Sequence, residues 1–550
     1  MRFVLPLAFA LAALPVMAQE LVGPRLGAAS NFGQGWDADM LDAAQALGVR
    51  DLRDGVYWRD VEQDGARRYD TFRTAYPALL EARGMGMSLT VNNGHPDYDG
   101  GVTPHTPEGV AGFADHAAAL VRRYPAIDAV EVGNEMNSAT FTSGPMRAAD
   151  LAGRAVFYTR LLAATRAAVT EVRPDLRILG GAAHSVPLAW FRALSDAGAP
   201  AHMDAVVIHP YTTPPEHFGR QVALLRGVPG FADMPIEVTE FGDEDAATAP
   251  ATLIKYHCKM ALAGVTRAVW YPLNPRGDGL APLIGADDEV TAVGRAFALA
   301  DRHLAGRTVR DVSPDPFTHA CLYGDRALVI WGEPRALSVA DGIEVLGPDG
   351  ESVEDPALDR VRPLVLLAED PPVIGETVTL GPQDTVADSF HQFAYPGQDG
   401  DGFRRFTRIG GEEAPFALRG GQQANGVPWT PYLGSPRDGM LRMDGVFLLP
   451  SGDGNAPGEV VHEHVVAEAL RGALDIHLAP PERTTDGVVA QVTLNGEEID
   501  RRVVTAAADY ALGPLDLAQG DVLRIIVGPG HSARGDATRY RFTLRRAPAP

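Results

Sequence analysis

Across residues 21–304, short apolar runs alternate with longer runs of helical spacing, and this alternation limits the fold more than any other feature of the chain. A strand buried on both faces reads as a short continuous run of aliphatic residues. An amphipathic helix repeats its apolar residues every three or four positions. The helical spacing covers 37–47, 72–83, 110–124, 157–172, 187–197, 215–225 and 250–263. The strand-like runs are a short first strand after the loop at 21–27, then 49–52, 87–91, 129–132, 176–180, 205–208, 236–238 and 268–270. Strands alternating with helices require a parallel sheet with helical crossovers, and about eight such units in one stretch predict a closed (β/α)8 TIM barrel over 19–305. A doubly wound open sheet is the competing arrangement. No Gly-rich phosphate loop follows the first strand, which counts against it.

After residue 306 helical periodicity fades. Short β runs at 327–331 and 362–367, separated by Gly, Asp and Pro, predict a small β-sandwich over 306–382. From 383 to 550 longer alternating runs, such as 460–466, 473–478, 488–494 and 522–527, suit a jelly-roll-like β domain. Within it Trp429 and Tyr432 offer a flat aromatic pair of the kind sugars stack on, with a purely structural module as the plainer reading.

The first 18 residues have the form of a secretory signal: Arg2, the apolar run 3–14, and Val16-Met17-Ala18 as a small-residue cleavage site. No later run is long and apolar enough to span a bilayer. The chain is therefore expected to be secreted or periplasmic and not inserted in a membrane. Export permits a disulfide between its two cysteines, Cys258 and Cys321, although two separate buried thiols fit the sequence equally. A net charge of −23 argues against nucleic acid as a partner. No cofactor or metal motif is present: the segment with Asp399 and Asp401 lacks the spacing of a calcium loop, and no Gly-x-Ser-x-Gly elbow occurs.

In a (β/α)8 barrel the reactive side chains sit at the C-terminal ends of the strands. The fourth strand ends in Asn134-Glu135 and the seventh in Glu240. Strands four and seven face each other across the barrel mouth, so two carboxyl groups converge on one cleft. That pairing suits glycoside hydrolysis, in which one carboxylate attacks and the other serves as acid and then base. Glu131 and Glu237 compete for these roles but lie deeper in their strands. Arg53, at the end of the second strand, is placed to keep a nucleophile ionised.

These residues resemble clan A of the retaining glycoside hydrolases, in particular the family 39 and family 5 types. Asn134-Glu135 is similar to the clan's acid/base motif and "TEFG" at 239–242 to its nucleophile motif. "LRDGVYWRDVEQDGARRYD" resembles the strand-two segment of family 39, and "VIHPYT" supplies His209 and Tyr211 at strand six. Trp270 ends strand eight, where the clan places an aromatic platform. The resemblance implies Glu135 as acid/base and Glu240 as nucleophile, with Asn134 on the sugar 2-hydroxyl and Tyr211 orienting Glu240. His209 and Arg53 would tune the carboxylates, and Trp270 and Trp58 would stack on or beneath the sugar. A His common after strand one in relatives is replaced by Asn31, and Asn92, Asn93 and His95 offer further contacts. The implied partner is a poly- or oligosaccharide, cleaved with retention. A silent glycan-binding barrel and a transglycosylase are the alternatives.

Overall fold

The computed structural model describes residues 20–92, 94–400, 402–422 and 427–547. The expected signal segment, Asn93, Asp401 and the last three residues lie outside them. Eight parallel strands close a barrel in chain order: β1 (Arg25–Ala29), β2 (Asp51–Asp54), β3 (Gly86–Val91), β4 (Ile127–Val132), β5 (Arg177–His184), β6 (Ala205–His209), β7 (Ile236–Phe241) and β8 (Val265–Trp270), with β8 paired back to β1. The first seven are followed by α1 (Ala38–Leu47), α2 (Phe72–Ala82), α3 (Pro107–Arg123), α4 (Leu151–Val172), α5 (Leu188–Asp196), α6 (Pro215–Arg226) and α7 (Ala249–Leu262), and β8 is followed by α8 (Ala292–His303).

Local chemistry sets where the helices start. Asp37, Thr71, Thr106, Asp150 and Thr291 each accept a backbone N–H three residues on, satisfying a donor that the first turn leaves open. The cap at Asp150 explains why α4 begins at Leu151, a turn and a half before its apolar spacing becomes clear at 157. Among the described residues no helix is long and apolar enough to cross a membrane.

The barrel interior carries two polar layers. At its base, Arg267 donates to Asp51 (2.9 Å) and Ser88 (2.8 Å). Higher up, Arg53, Glu131 and Thr239 meet below the mouth. The fifth strand differs most from expectation. The pair Gly180-Gly181 reads as a turn ending the strand, yet the strand continues to His184 through a register shift between Gly180 and Ala183. Gly181 (φ 90°) and Ala182 (φ 38°) take left-handed backbone there, and a Cβ at Gly180 would sit 2.9 Å from Met203. The bulge re-aims the strand end without ending the pairing.

Beyond the barrel, a five-stranded antiparallel sheet packs on a three-stranded one. In the strand Thr318–Tyr323, Ala320 and Leu322 enter the sandwich core while Cys321 and Tyr323 join the barrel core. This explains its unbroken apolar run: both faces are covered. Cys321 forms a disulfide with Cys258 of α7 (Cα–Cα 5.9 Å), which decides between the two readings of the cysteines. The C-terminal region forms two larger antiparallel sheets around a core that includes Leu474, Ile476, Val492, Ile525 and Phe542. It joins the small sandwich through the wholly buried Glu333, whose carboxylate accepts from Arg360 (2.7 Å), Arg541 (2.6 Å) and Arg545 (2.6 Å).

Candidate active site

Glu135 and Glu240 meet at the barrel mouth. An oxygen of each, together with a ring nitrogen of His209, lie within 4.8 Å of one another, and among the described residues this is the one such group of possible metal-ligand atoms. The backbone at the end of β4 turns sharply to present the first carboxyl. Gly133 (φ 86°) and Glu135 (φ 45°) are both left-handed, and a Cβ at Gly133 would lie 2.4 Å from Met136. A non-glycine residue held in that region costs about 1–3 kcal/mol, a strain that recurs where a side chain must be aimed.

Glu240 is held on both oxygens. Arg53 donates from Nη1 to Oε1, and the Tyr211 hydroxyl donates to Oε2 (3.0 Å). Arg53 is itself fixed by Glu131, through Nε (2.7 Å) and Nη2 (2.8 Å), and donates to Asn134 Oδ1 (2.7 Å). A guanidinium only donates, so the amide oxygen of Asn134 must face it, which turns the Nδ2 donors toward the cavity. Burial opposes the Arg53 charge, but Glu131 and Glu240 outweigh it and raise its pKa further. Glu131 is buried too, and Arg53 and His209 bring its carboxyl down to about 2. Glu131 thus serves as the anchor of Arg53 and not as a reactive acid. Glu237, also wholly buried, pairs with Arg177 and is remote from the mouth.

With Glu131 and Glu135 ionised, the bonds of His209 are those of an imidazolium. Its Nδ1 faces Glu135 Oε1 (3.1 Å), an acceptor. Its Nε2 faces the Thr239 hydroxyl (3.0 Å), which spends its own hydrogen on Glu131 (3.3 Å). Both ring nitrogens therefore donate. Burial would lower the His209 pKa, yet the surrounding carboxylates, Glu240 foremost, raise it to about 9. Burial would raise Glu135, but hydrogen bonds from His184 (3.0 Å) and His209 hold it down at about 2.

The structure brings together Arg53, Asn134, Glu135, His209, Tyr211 and Glu240. Of the two tryptophans, Trp270 stands apart from the expected platform, and Trp58 lies beneath a cavity. Trp270 is wholly buried, donates to Ala281 O (2.9 Å), packs on Phe241 and lines neither cavity at the mouth. A register shift between Ala268 and Trp270 turns it into the core, and Tyr271 faces the cleft instead. Trp58 is 1% exposed and backs a cavity wall, stacked on Tyr98 (4.7 Å) and His116 (5.8 Å). Asn92 lines the same cavity, while His95 is buried against Glu62 O (2.9 Å). His184, Tyr271 and Arg276 are additions that sequence reading did not single out. For His184 the available signal was a His at the end of an "LGGAAH" strand, obscured by the two glycines.

No family model matches the chain, and no curated protein does. Among solved structures, a family 39 glycoside hydrolase from Bacteroides cellulosilyticus WH2 overlays with a TM-score of 0.52 at 16% identity, covering 63% of this chain and 81% of that one. Two others overlay less well and carry no weight: a GH39 β-xylosidase from Caulobacter crescentus (TM-score 0.47, 18% identity, 64% and 98% covered) and a GH30 endoxylanase from Clostridium papyrosolvens C71 (0.46, 15%, 64% and 97%). The first likeness shows the fold, a (β/α)8 barrel, here followed by antiparallel β domains. At that identity the chemistry rests on the side chains described above.

Proposed function

We propose that this chain is a retaining glycoside hydrolase that cleaves a β-linked poly- or oligosaccharide by double displacement. The observation that carries the reading is that one carboxylate oxygen of Glu135 and one of Glu240 come within 4.8 Å of each other across the barrel mouth, a close approach that favours the narrower of the two known spacings. Retaining enzymes hold their carboxyl pair about 5–5.5 Å apart, whereas inverting ones leave about 6.5–9.5 Å for a water.

In this mechanism Glu240, paired with Arg53 and oriented by Tyr211, attacks the anomeric carbon. Glu135 protonates the departing oxygen. The 3.1 Å hydrogen bond between His209 Nδ1 and Glu135 is the path by which that proton is shared between them. Binding of a sugar displaces water and disfavours the separated charges of the pair. The proton then moves from Nδ1 to Glu135, leaving neutral imidazole and a carboxylic acid. After the glycosyl-enzyme forms, Glu135 takes a proton from the incoming water, whose oxygen attacks the anomeric carbon and releases Glu240 as a carboxylate. Asn134 Nδ2 donates to the sugar hydroxyl beside the reacting carbon. The Cys258–Cys321 disulfide supports the reading of residues 1–18 as an export signal, because such bonds persist in oxidising compartments.

The test is turnover of p-nitrophenyl β-xyloside, β-glucoside, β-mannoside and β-galactoside by the wild type and by Glu240→Ala, with added azide to rescue the variant. Proton NMR of the first product should show the β anomer. Inversion would remove the double displacement, and a wild type inert on every glycoside and on polysaccharides would favour a silent binding barrel. The export reading is checked by mass spectrometry of the mature protein, expected to begin at Gln19.

A further inference from the structure

Glu240 stands between two cavities of unequal size. The smaller, about 300 Å3, is cut into the barrel alone, among Asp54, Tyr57, Asn134 and Arg276. The larger, about 990 Å3, has one wall from the barrel, with Tyr211 and His184, and the other from the C-terminal domain, with Trp429, Asp444 and Phe447. Ligand cavities run from about 300 to 1,000 Å3, so the two stand at opposite ends of that range.

The C-terminal wall is fastened to the catalytic strand ends. Asn137, two residues beyond Glu135, donates its side-chain amide to Gln422 (3.2 Å), and Gln422 donates back to Asn137 O (3.2 Å). The carbonyl of Gly420 accepts from the Ala189 N–H (3.2 Å). Trp429 meets His184 edge to face, 4.9 Å between ring centres, and His184 holds Glu135. One chain of contacts thus runs from the C-terminal domain to the acid/base carboxyl.

The direction in which a substrate lies is set by chemistry. The departing oxygen must reach Glu135, whose partner His184 lines only the larger cavity. Asn134 lines only the smaller one. The sugar that becomes bound to Glu240 therefore occupies the small barrel pocket, and the departing portion occupies the large shared one.

Resting on the glycosidase reading, we infer that the departing portion of the substrate is an oligosaccharide of more than one unit, gripped between barrel and C-terminal domain, with Trp429 as its stacking platform. The C-terminal domain is then a wall of the active site and not a separate glycan-binding module. A partly exposed indole beside the acid/base offers a flat apolar face to the C–H face of a sugar ring. A cavity about threefold larger than the pocket for the retained sugar has room for a chain.

The experiment compares wild type, Trp429→Ala and Trp429→Phe on two substrates of whichever sugar in the aryl panel is turned over: its β-linked trisaccharide and its glycosyl fluoride. Fluoride leaves without occupying the shared cavity. We expect Trp429→Ala to lose at least tenfold more kcat/KM on the trisaccharide than on the fluoride, and Trp429→Phe to recover most of the difference. Equal losses on both substrates, or an undiminished trisaccharide rate, overturn the inference. If neither an aryl glycoside nor any oligo- or polysaccharide is turned over, the glycosidase reading fails separately. Calorimetric titration of xylotriose, cellotriose and mannotriose into wild type and Trp429→Ala then decides the platform: weaker binding in the variant sustains it, and unchanged or absent binding removes it.

Discussion

Two buried clusters in this protein are assembled from the same side chains and behave oppositely. At the barrel mouth three carboxylates, Glu131, Glu135 and Glu240, share one arginine and two histidines. At the junction of the two β domains the wholly buried Glu333 is met by Arg360, Arg541, Arg545 and His391, with Asp388 and Asp475 as second partners of Arg541 and Arg545. The mouth is rich in acid and opens on a cavity, so its charges are left partly unspent and can act on a ligand. The junction is rich in cations and saturated, so its charge is consumed in holding domains together. Residue type alone does not separate a reactive cluster from a structural one; the balance of charge and the presence of an adjoining cavity do.

Substitution should split the two. Glu240→Gln should lower kcat about 10^4-fold or more, as loss of a nucleophile does. Its thermal midpoint should hold or rise, because one of three crowded carboxylates is neutralised while Arg53 keeps Glu131. A variant that unfolds instead would undo the contrast. Glu333→Gln should do the reverse. Breaking a buried ion pair costs up to about 3–5 kcal/mol, less here for the share of Arg541 and Arg545 that Asp388 and Asp475 still hold, read by urea denaturation, while kcat per folded molecule stays near that of wild type.

The disulfide offers a smaller test of the same division of labour. It links residues 63 apart in sequence and ties α7 to the small sandwich. Replacing both cysteines by serine should cost about 2–4 kcal/mol of stability with little change in kcat.

The smallest effect lies in pH. Folded His209 keeps its proton up to about 9 against 6.5 for a free imidazole, so its contribution to stability is complete below 6.5 and is lost as pH rises through 9. Glu131 and Glu135, near 2 against 4.5, contribute above 4.5 and lose that contribution as pH falls toward 2. The thermal midpoint should peak between these ranges. The same proton feeds Glu135, so kcat/KM should decline as pH approaches 9, and His209→Asn should move that decline below neutrality. An unmoved alkaline limb in the variant would remove His209 from the proton path.

Much of this was legible along the chain, and the failures share a cause. The barrel is readable from alternation, because a strand covered on both faces must be apolar throughout. Asn134, Glu135 and Glu240 are readable from strand ends, because the barrel sends its C-terminal ends to one mouth. Where a bulge interrupts a strand, the two-residue period no longer tells which side chain faces in. That hid His184 behind Gly180-Gly181, and it put Trp270 in the core with Tyr271 at the cleft. Trp429 was visible as a sugar-stacking candidate, but its place beside His184 was not.

By itself, then, the sequence determined a parallel barrel, the β character of the C-terminal domains, and the acidic pair with its arginine, since each is written in local periodicity or in the last residues of a strand. Only the tertiary structure decided that Cys258 meets Cys321, that His209 bridges the carboxylates as a cation, and that a loop near residue 429 closes one side of the cleft. Those facts depend on how separately folded units dock and on the summed field of charges from several strands, and neither quantity has a local trace in the chain.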